Sequence, residues 1–175
     1  MATTERKALI VQSDCSVLLE VNAQRADEAR AALAPFAELV KSPEHVHTYR
    51  LTPLSIWNSR ATGLGAEQMV AALREHARYP VPSNVEQEIL QLAARYGRVV
   101  IIRDGDGFRC SCQDQITAER IARDKEAGPY LTERISPRDF RIAPATRGVL
   151  KQALVAAGYP AEDRAGYLPG EPVTS

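Results

Sequence analysis

The chain has 175 residues, of which 45% are hydrophobic and 25% are charged, as in a soluble globular protein that buries a core. Lys and Arg number 22, and Asp and Glu also number 22, so the formal net charge is zero. This balance argues against a surface that binds nucleic acid strongly and without specificity. The sequence contains no stretch of roughly 20 apolar residues that would form a membrane helix. Its three cysteines do not make a disulfide framework. We therefore expect a cytoplasmic protein that does not associate with a membrane.

Residues 1–112 are predicted to form one α+β domain that opens with a small layer of strands covered by a helix. The predicted strands are Ala8–Ser13, Val17–Val21, Ala37–Val40 and Val46–Arg50, and the predicted helix is Asp27–Ala34. A second helix is predicted over Thr52–Thr62, where Thr52 is a good N-cap and Pro53 fits the first helical position. Leu54, Trp57 and Ala61 follow at spacings of three and four, which predicts that they share one buried face of the helix with the only Trp.

Two further helices and a hairpin complete this predicted domain. The helices are expected over Ala66–Ala77 and from Ser83 to Gly97, and the hairpin over Val99–Cys112 around an Asp-Gly-Asp-Gly turn. Three helices followed by a hairpin is the element order of a winged helix, although many α+β domains share it. The third helix carries Glu86 and Glu88 on its outer face, and these carboxylates would repel phosphates. Contact with protein is therefore the favoured use of that helix.

Residues 113–160 are predicted to form a small α/β module. It contains a helix over Ile116–Lys125, a strand over Asp139–Ile142 and an amphipathic helix over Thr146–Ala157. Residues 161–175 are polar and rich in Gly and Pro, which predicts a linker or tail. The expected fold class is thus α+β, in three parts: a sheet-plus-helix layer, a three-helix winged-helix-like unit with a hairpin, and a small α/β module.

The sequence contains little that indicates catalysis. No Gly-Lys pair occurs in the 175 residues, so a phosphate-binding P-loop is excluded and nucleotide hydrolysis is not expected. His45 and His47 would share one face of a strand, but the surrounding sequence supplies no third metal ligand. Cys110 and Cys112 also share a face, and we interpret them as small buried side chains. We therefore predict no enzyme activity, no cofactor and no metal.

A basic surface is predicted in the later part of the chain. Its proposed phosphate-contacting residues are Arg138, Arg141, Arg147 and Lys151. Arg147 and Lys151 lie four residues apart and so share a face of the last helix. A solvated basic face without a ligand is the alternative interpretation.

The stretch His45–Thr52 reads His-Val-His-Thr-Tyr-Arg-Leu-Thr, and it closely resembles a segment in the N-terminal region of XPB-family DNA repair helicases. The motif residues we assign as structural are His45, His47, Tyr49, Leu51, Thr52 and Trp57. Further matching segments are Leu18–Val21, Ala34–Leu39, Tyr79–Pro82, Arg95–Arg98, Arg147–Leu154 and Gly158–Asp163. The resemblance extends from about Ala8 to Gly170 and is strongest to bacterial members.

Complete members of this family are ATP-dependent translocases whose ATPase motifs lie C-terminal to the matched region. The resemblance therefore implies a non-catalytic accessory region, including a damage-recognition part that contacts distorted DNA and docks partner subunits. The implied partners are the helicase motor domains in cis or in trans, a repair nuclease or another protein, and DNA weakly. A nucleoid-associated location in the cytoplasm follows from this role.

Two rival functions remain open on the sequence. A free-standing winged-helix regulator would read DNA through the third helix, with Gln91 and Arg95 as its contacts. A small enzyme of another family is disfavoured, because the sequence contains no nucleophile–base or metal constellation.

Overall fold

A computed structural model of the protein describes residues 6–166, so residues 167–175 of the predicted linker or tail lie outside the described residues. The chain divides between Ala94 and Arg95 into two compact units, here called the first and second units. The described residues form two β-sheets and six α-helices. The predicted α+β class is confirmed.

The first unit is built on a four-stranded antiparallel sheet. Its strands are β1 (Leu9–Val11), β2 (Ser16–Glu20), β3 (Glu38–Lys41) and β4 (Val46–Arg50), in the order β1-β2-β4-β3. The helix α1 (Ala26–Leu33) connects β2 to β3 and buries Ala29 and Leu33. The predicted opening layer of strands and one helix is thus confirmed, and the inner strand β4 carries Val46 and His47 of the His-Val-His run, with His45 just before it.

Three helices complete the first unit: α2 (Pro53–Ala61), α3 (Ala66–His76) and α4 (Ser83–Arg95). The start of α2 is fixed by a reciprocal cap. The backbone N–H of Ser55 donates to Thr52 Oγ1 (3.0 Å), and the backbone N–H of Thr52 donates to Ser55 Oγ (2.9 Å). Two of the backbone donors that a helix start leaves unpaired are thereby satisfied. The predicted helix start at Thr52 and Pro53 is confirmed.

The buried face of α2 differs in part from the prediction. Trp57 is only 7% exposed, and its indole Nε1–H donates to the backbone oxygen of Leu92 (2.8 Å), so its predicted burial is confirmed. Leu54, however, is 47% exposed, and the prediction that it faces inward is wrong. The reason is that Ser55 takes the inward position, where its hydroxyl donates to the backbone oxygen of Phe36 (2.9 Å).

The second unit contains a five-stranded mixed sheet. Its strands are β5 (Val99–Asp104), β6 (Gly107–Cys112), β7 (Leu131–Ser136), β8 (Asp139–Ile142) and β9 (Ala161–Asp163), in the order β7-β8-β6-β5-β9. The helices α5 (Gln115–Arg123) and α6 (Arg147–Ala157) place Ile121, Leu150 and Leu154 in the core against one face of this sheet. Cys110 and Cys112 lie in the same core, as expected for small buried side chains.

The boundaries between the parts differ from the predicted ones. The β5–β6 hairpin pairs with β8 on one side and with β9 on the other, so it belongs to the second sheet and not to the three-helix unit. Residues 161–163, predicted as the start of a linker, form β9 parallel to β5. Strand β7 was not predicted at all. The β5–β9 and β6–β8 pairings join segments far apart in sequence, which a local pattern of residues does not reveal, whereas β7 pairs with β8 across a short turn. Among residues 6–166, no helix is long and apolar enough to cross a membrane.

Candidate nucleic-acid interface

The two units carry net charges of opposite sign, although the whole chain is neutral. The first unit has nine Lys and Arg against eleven Asp and Glu, whereas the second unit has thirteen against eleven. The second unit therefore has the sign of net charge that favours contact with a polyanion, and the first unit does not. All four residues predicted to contact phosphate lie in the second unit.

Arg147 and Lys151 occupy neighbouring turns of α6, as predicted, but one carboxylate binds both of them. Lys151 Nζ lies 3.1 Å and Arg147 Nε 3.6 Å from Asp163 Oδ2. Arg147 is also only 12% exposed, because its guanidinium carbon lies 4.4 Å from the centre of the Phe108 ring. Its Nη1 donates to the backbone oxygen of Gly166 (3.0 Å). Arg147 thus ties α6 to β6 and β9, and most of its side chain is closed to a ligand.

Arg138 and Arg141 lie on the β7–β8 hairpin. Arg138 is exposed in the hairpin turn, and its Nη1 donates to the backbone oxygen of Gln113 (3.2 Å). Arg141 is exposed on β8, where its Nε lies 3.4 Å from Glu133 Oε2 and where Arg109 is its partner on β6. An exposed ion pair of this kind is weak and exchanges readily for a phosphate. The four predicted residues therefore fall on two elements, and the pair on the hairpin is the more accessible.

Further arginines, which the prediction missed, surround the start of α5. Asp114 is the N-cap, and the backbone N–H of Thr117 donates to its Oδ1 (2.7 Å). This bond, together with the positive charges of Arg98 and Arg120, holds the pKa of Asp114 below its usual value. Because Arg98 precedes β5 and Arg120 lies on α5, only the tertiary fold brings them to one carboxylate. Their grouping has no signal in the sequence.

The residues of the His-Val-His run build the junction between β4 and α2. Tyr49 and Leu51 are buried, and Thr52 caps α2. His47 is half-buried on β4, whereas His45 is exposed just before that strand, where its Nδ1 lies 3.3 Å from Asn22 Nδ2. Residues 6–166 contain no group of three or more His, Cys, Asp or Glu side chains that could hold a metal ion. The motif thus connects β4 to α2 within the first unit.

Of the two carboxylates predicted on the outer face of α4, Glu86 is only 17% exposed and is held within the first unit, whereas Glu88 is exposed. Glu86 accepts two bonds from the Arg74 guanidinium, at 2.6 Å and 2.9 Å, in a two-pronged pair that joins α4 to α3. The same pair holds the pKa of Glu86 below its usual value. Glu88, which is exposed on the same helix, would still face a phosphate backbone with a negative charge. The alternative of a winged-helix regulator that reads DNA through α4 is not favoured.

Comparison with known proteins identifies the family. A family model described as "Helicase conserved C-terminal domain" matches residues 9–136. The chain is 49% identical over 164 residues to the DNA 3'-5' helicase XPB of Kineococcus radiotolerans, and 48% identical over 164 residues to that of Mycobacterium tuberculosis. These matches cover 93% of this chain but only 29% and 30% of the two relatives.

A eukaryotic relative also matches most of this chain but only a small part of its own length. The general transcription and DNA repair factor IIH helicase/translocase subunit XPB/SSL2 of Saccharomyces cerevisiae is 23% identical over 156 residues, which make up 89% of this chain and 18% of the relative. The chain thus spans less than a third of the length of the curated relatives that it matches. Since the family model covers well over half of its residues, the chain belongs to the helicase conserved C-terminal domain family.

Proposed function

We propose that this chain acts as a non-catalytic accessory module of an XPB-type ATP-dependent DNA repair helicase, docking a protein partner and contacting DNA weakly. The strong similarity to bacterial XPB helicases supports the repair context. The lack of any Gly-Lys pair in the sequence supports a role without ATP hydrolysis.

We further propose that the module belongs to the N-terminal region of such a helicase, ahead of its motor domains. The support is the resemblance of His45–Thr52 and of the segments that follow it to that region. The family description names a C-terminal domain, so the position needs its own test. That test is the reading frame that continues this chain. Walker-type motifs downstream of residue 175 support the proposed position, and motor motifs upstream of residue 1 contradict it.

The partner-docking part of the proposal has a direct test in solution. Motor domains of an XPB-type helicase, added as a separate protein, are expected to bind the chain, and a repair nuclease is the second partner to assay. The chain alone is expected to hydrolyse no ATP, with or without DNA. Hydrolysis by the purified chain would contradict the non-catalytic role.

The observation that carries the DNA contact is the placement of accessible arginines in the positively charged unit. Arg138 is exposed in the β7–β8 turn, and Arg141 is engaged only by an exposed carboxylate. Few such contacts give weak binding, since each phosphate neutralised contributes about 0.9 to the slope of log K against log salt. We therefore expect dissociation constants of about 10⁻⁴–10⁻⁶ M at physiological salt.

The experiment is a salt titration of duplex binding by fluorescence anisotropy with charge-matched variants. Arg138→Ala/Arg141→Ala is expected to weaken binding at every salt concentration and to reduce the salt slope by about two. Arg30→Ala/Lys41→Ala removes two cations from the first unit and is the matched control, for which we expect little change. Equal losses in both double variants would mean that net charge alone matters, and would refute the assignment to the hairpin.

A further inference from the structure

The β3 edge of the first sheet exposes apolar side chains. Strand β3 lies at the end of the order β1-β2-β4-β3, and no strand among residues 6–166 pairs with its outer side. The opposite edge is partly covered, because the backbone N–H of Arg78 donates to the backbone oxygen of Leu9 on β1 (2.8 Å). All four residues of β3 are exposed, including Leu39 (54%) and Val40 (52%). Such an edge presents unpaired backbone N–H and C=O groups to another strand.

A bulge in β3 places its two charged residues on one face of the sheet. Glu38 lies opposite Arg50, and Lys41 lies opposite Thr48, with Val40 as the extra residue in the ladder. Thr48 and Arg50 are two residues apart on β4, so their side chains share a face. Glu38 and Lys41 therefore share that face as well, although a spacing of three would put them on opposite faces of a regular strand.

This arrangement makes the edge complementary to itself. If two copies of β3 pair in antiparallel orientation about a two-fold axis between Leu39 and Val40, Glu38 of each copy lies opposite Lys41 of the other. The apolar residues then lie between the two ion pairs and are removed from water. A two-fold axis is the commonest symmetry of a dimer, and it brings the same patch of both copies together. We propose that β3 is a self-association edge whose partner is β3 of a second copy of this chain.

The charge pattern also determines the orientation and the selectivity of this pairing. A parallel pair in register would place Glu38 beside Glu38 and Lys41 beside Lys41, and like charges opposite each other are destabilising. The strand is short and carries a lysine and a bulge, which are features that limit pairing with unrelated strands. We therefore expect a weak but specific dimer. The inference does not depend on the proposed DNA contact, whose residues belong to the second unit.

The test is sedimentation velocity of the full chain over a range of concentrations, in which the wild type is expected to shift from monomer to dimer. Glu38→Lys and Lys41→Glu should each weaken dimerisation about tenfold or more, because each turns both ion pairs into repulsive pairs. An equimolar mixture of the two variants should dimerise again, since every positive residue of one then lies opposite a negative residue of the other. Glu88→Lys, at an exposed position on α4, is the matched control and should dimerise like the wild type.

Recovery in the mixture would support the proposed register, because two misfolded variants would not restore each other. A wild-type chain that stays monomeric at its highest soluble concentration overturns the proposal. A dimer that tolerates both single reversals, or that Glu88→Lys weakens equally, does not form through β3 and also refutes it. If the wild type is monomeric and Glu38→Lys weakens binding of separately added motor domains, the edge accepts another protein and self-pairing is refuted.

Discussion

Replacement of Trp57 by Ala tests whether the junction between β4 and α2 holds the first unit together. Trp57 is only 7% exposed, and its indole N–H donates a hydrogen bond to the backbone oxygen of Leu92 on α4. Truncation of a buried Trp leaves a large cavity and costs about 3–5 kcal/mol of folding free energy. Loss of the indole also strips the Leu92 oxygen of a donor, which places Trp57→Ala towards the upper end of that range.

The assay must distinguish the two units, because each has its own core. Hydrogen exchange followed by mass spectrometry reports on peptides from residues 6–94 and from residues 95–166 separately. The free energy of opening should fall by about 3–5 kcal/mol in the first set and stay unchanged in the second. Trp57→Phe is the matched variant, since it keeps an aromatic ring but loses the N–H donor, and we expect it to cost about 1–3 kcal/mol.

Two results would refute this reasoning. A loss below about 1 kcal/mol for Trp57→Ala would mean that Trp57 is solvated in solution, where it would serve as an anchor for a partner. A loss of equal size in Trp57→Phe and Trp57→Ala would mean that the hydrogen bond to Leu92, and not the packing of the ring, determines the stability.

Three other predictions concern single contacts. Arg78 donates to Glu20 and holds the pKa of that carboxyl below its usual value. The pair therefore stabilises the fold at pH values above the ordinary pKa of Glu. This stabilisation is lost as the pH falls through the lowered pKa. Glu20→Gln should thus cost about 0.5–1 kcal/mol at neutral pH and nothing in strong acid, and a difference that persists in acid during urea unfolding would contradict the assignment. Gly128→Ala should cost about 1–3 kcal/mol in urea unfolding, because a Cβ there would lie 2.6 Å from the backbone oxygen of Ala122; an unchanged midpoint would show that this turn relaxes freely. Asp163→Asn should release Lys151 and Arg147 and raise duplex affinity about two- to threefold, whereas Asp106→Asn, with the same change in net charge, should raise it less; equal gains would indicate an effect of net charge only.

The parts of the fold that the sequence predicts are those fixed by neighbours along the chain. The cap formed by Thr52 and Ser55 and the β5–β6 hairpin around Gly105 depend on a spacing of three residues or on a turn. Trp57 is buried as predicted, although Leu54 and Ala61, at helical spacing from it, are exposed. Such features can be predicted because the local sequence alone favours the observed conformation. The prediction correctly located these elements.

The strands that the sequence does not predict are the two edges of the second sheet. Strand β7 is mostly exposed and β9 is a three-residue polar strand, so neither shows the alternation of apolar and polar residues that marks a half-buried strand. Strand β9 is ordered by pairing with β5 across about 60 residues, whereas β7 pairs with β8, its neighbour along the chain. The boundaries predicted at residues 112 and 160 moved for the same reason, since no local residue pattern marks either pairing.

The candidate site could also be predicted from the sequence only in part. The sequence identifies basic residues but not their electrostatic partners, and the role of Arg147 depends on Phe108 and Asp163, which three different elements bring together. The run that carries the family resemblance, His45–Thr52, lies in the first unit, where it connects the strand β4 to the helix α2. A segment can thus be recognisable because it is constrained by packing, and such constraint says nothing about where a ligand binds. Residues that contradict their own local pattern carry more information about binding, because packing does not explain them. In this chain Ile116, 67% exposed at the start of the amphipathic helix α5, is such a residue.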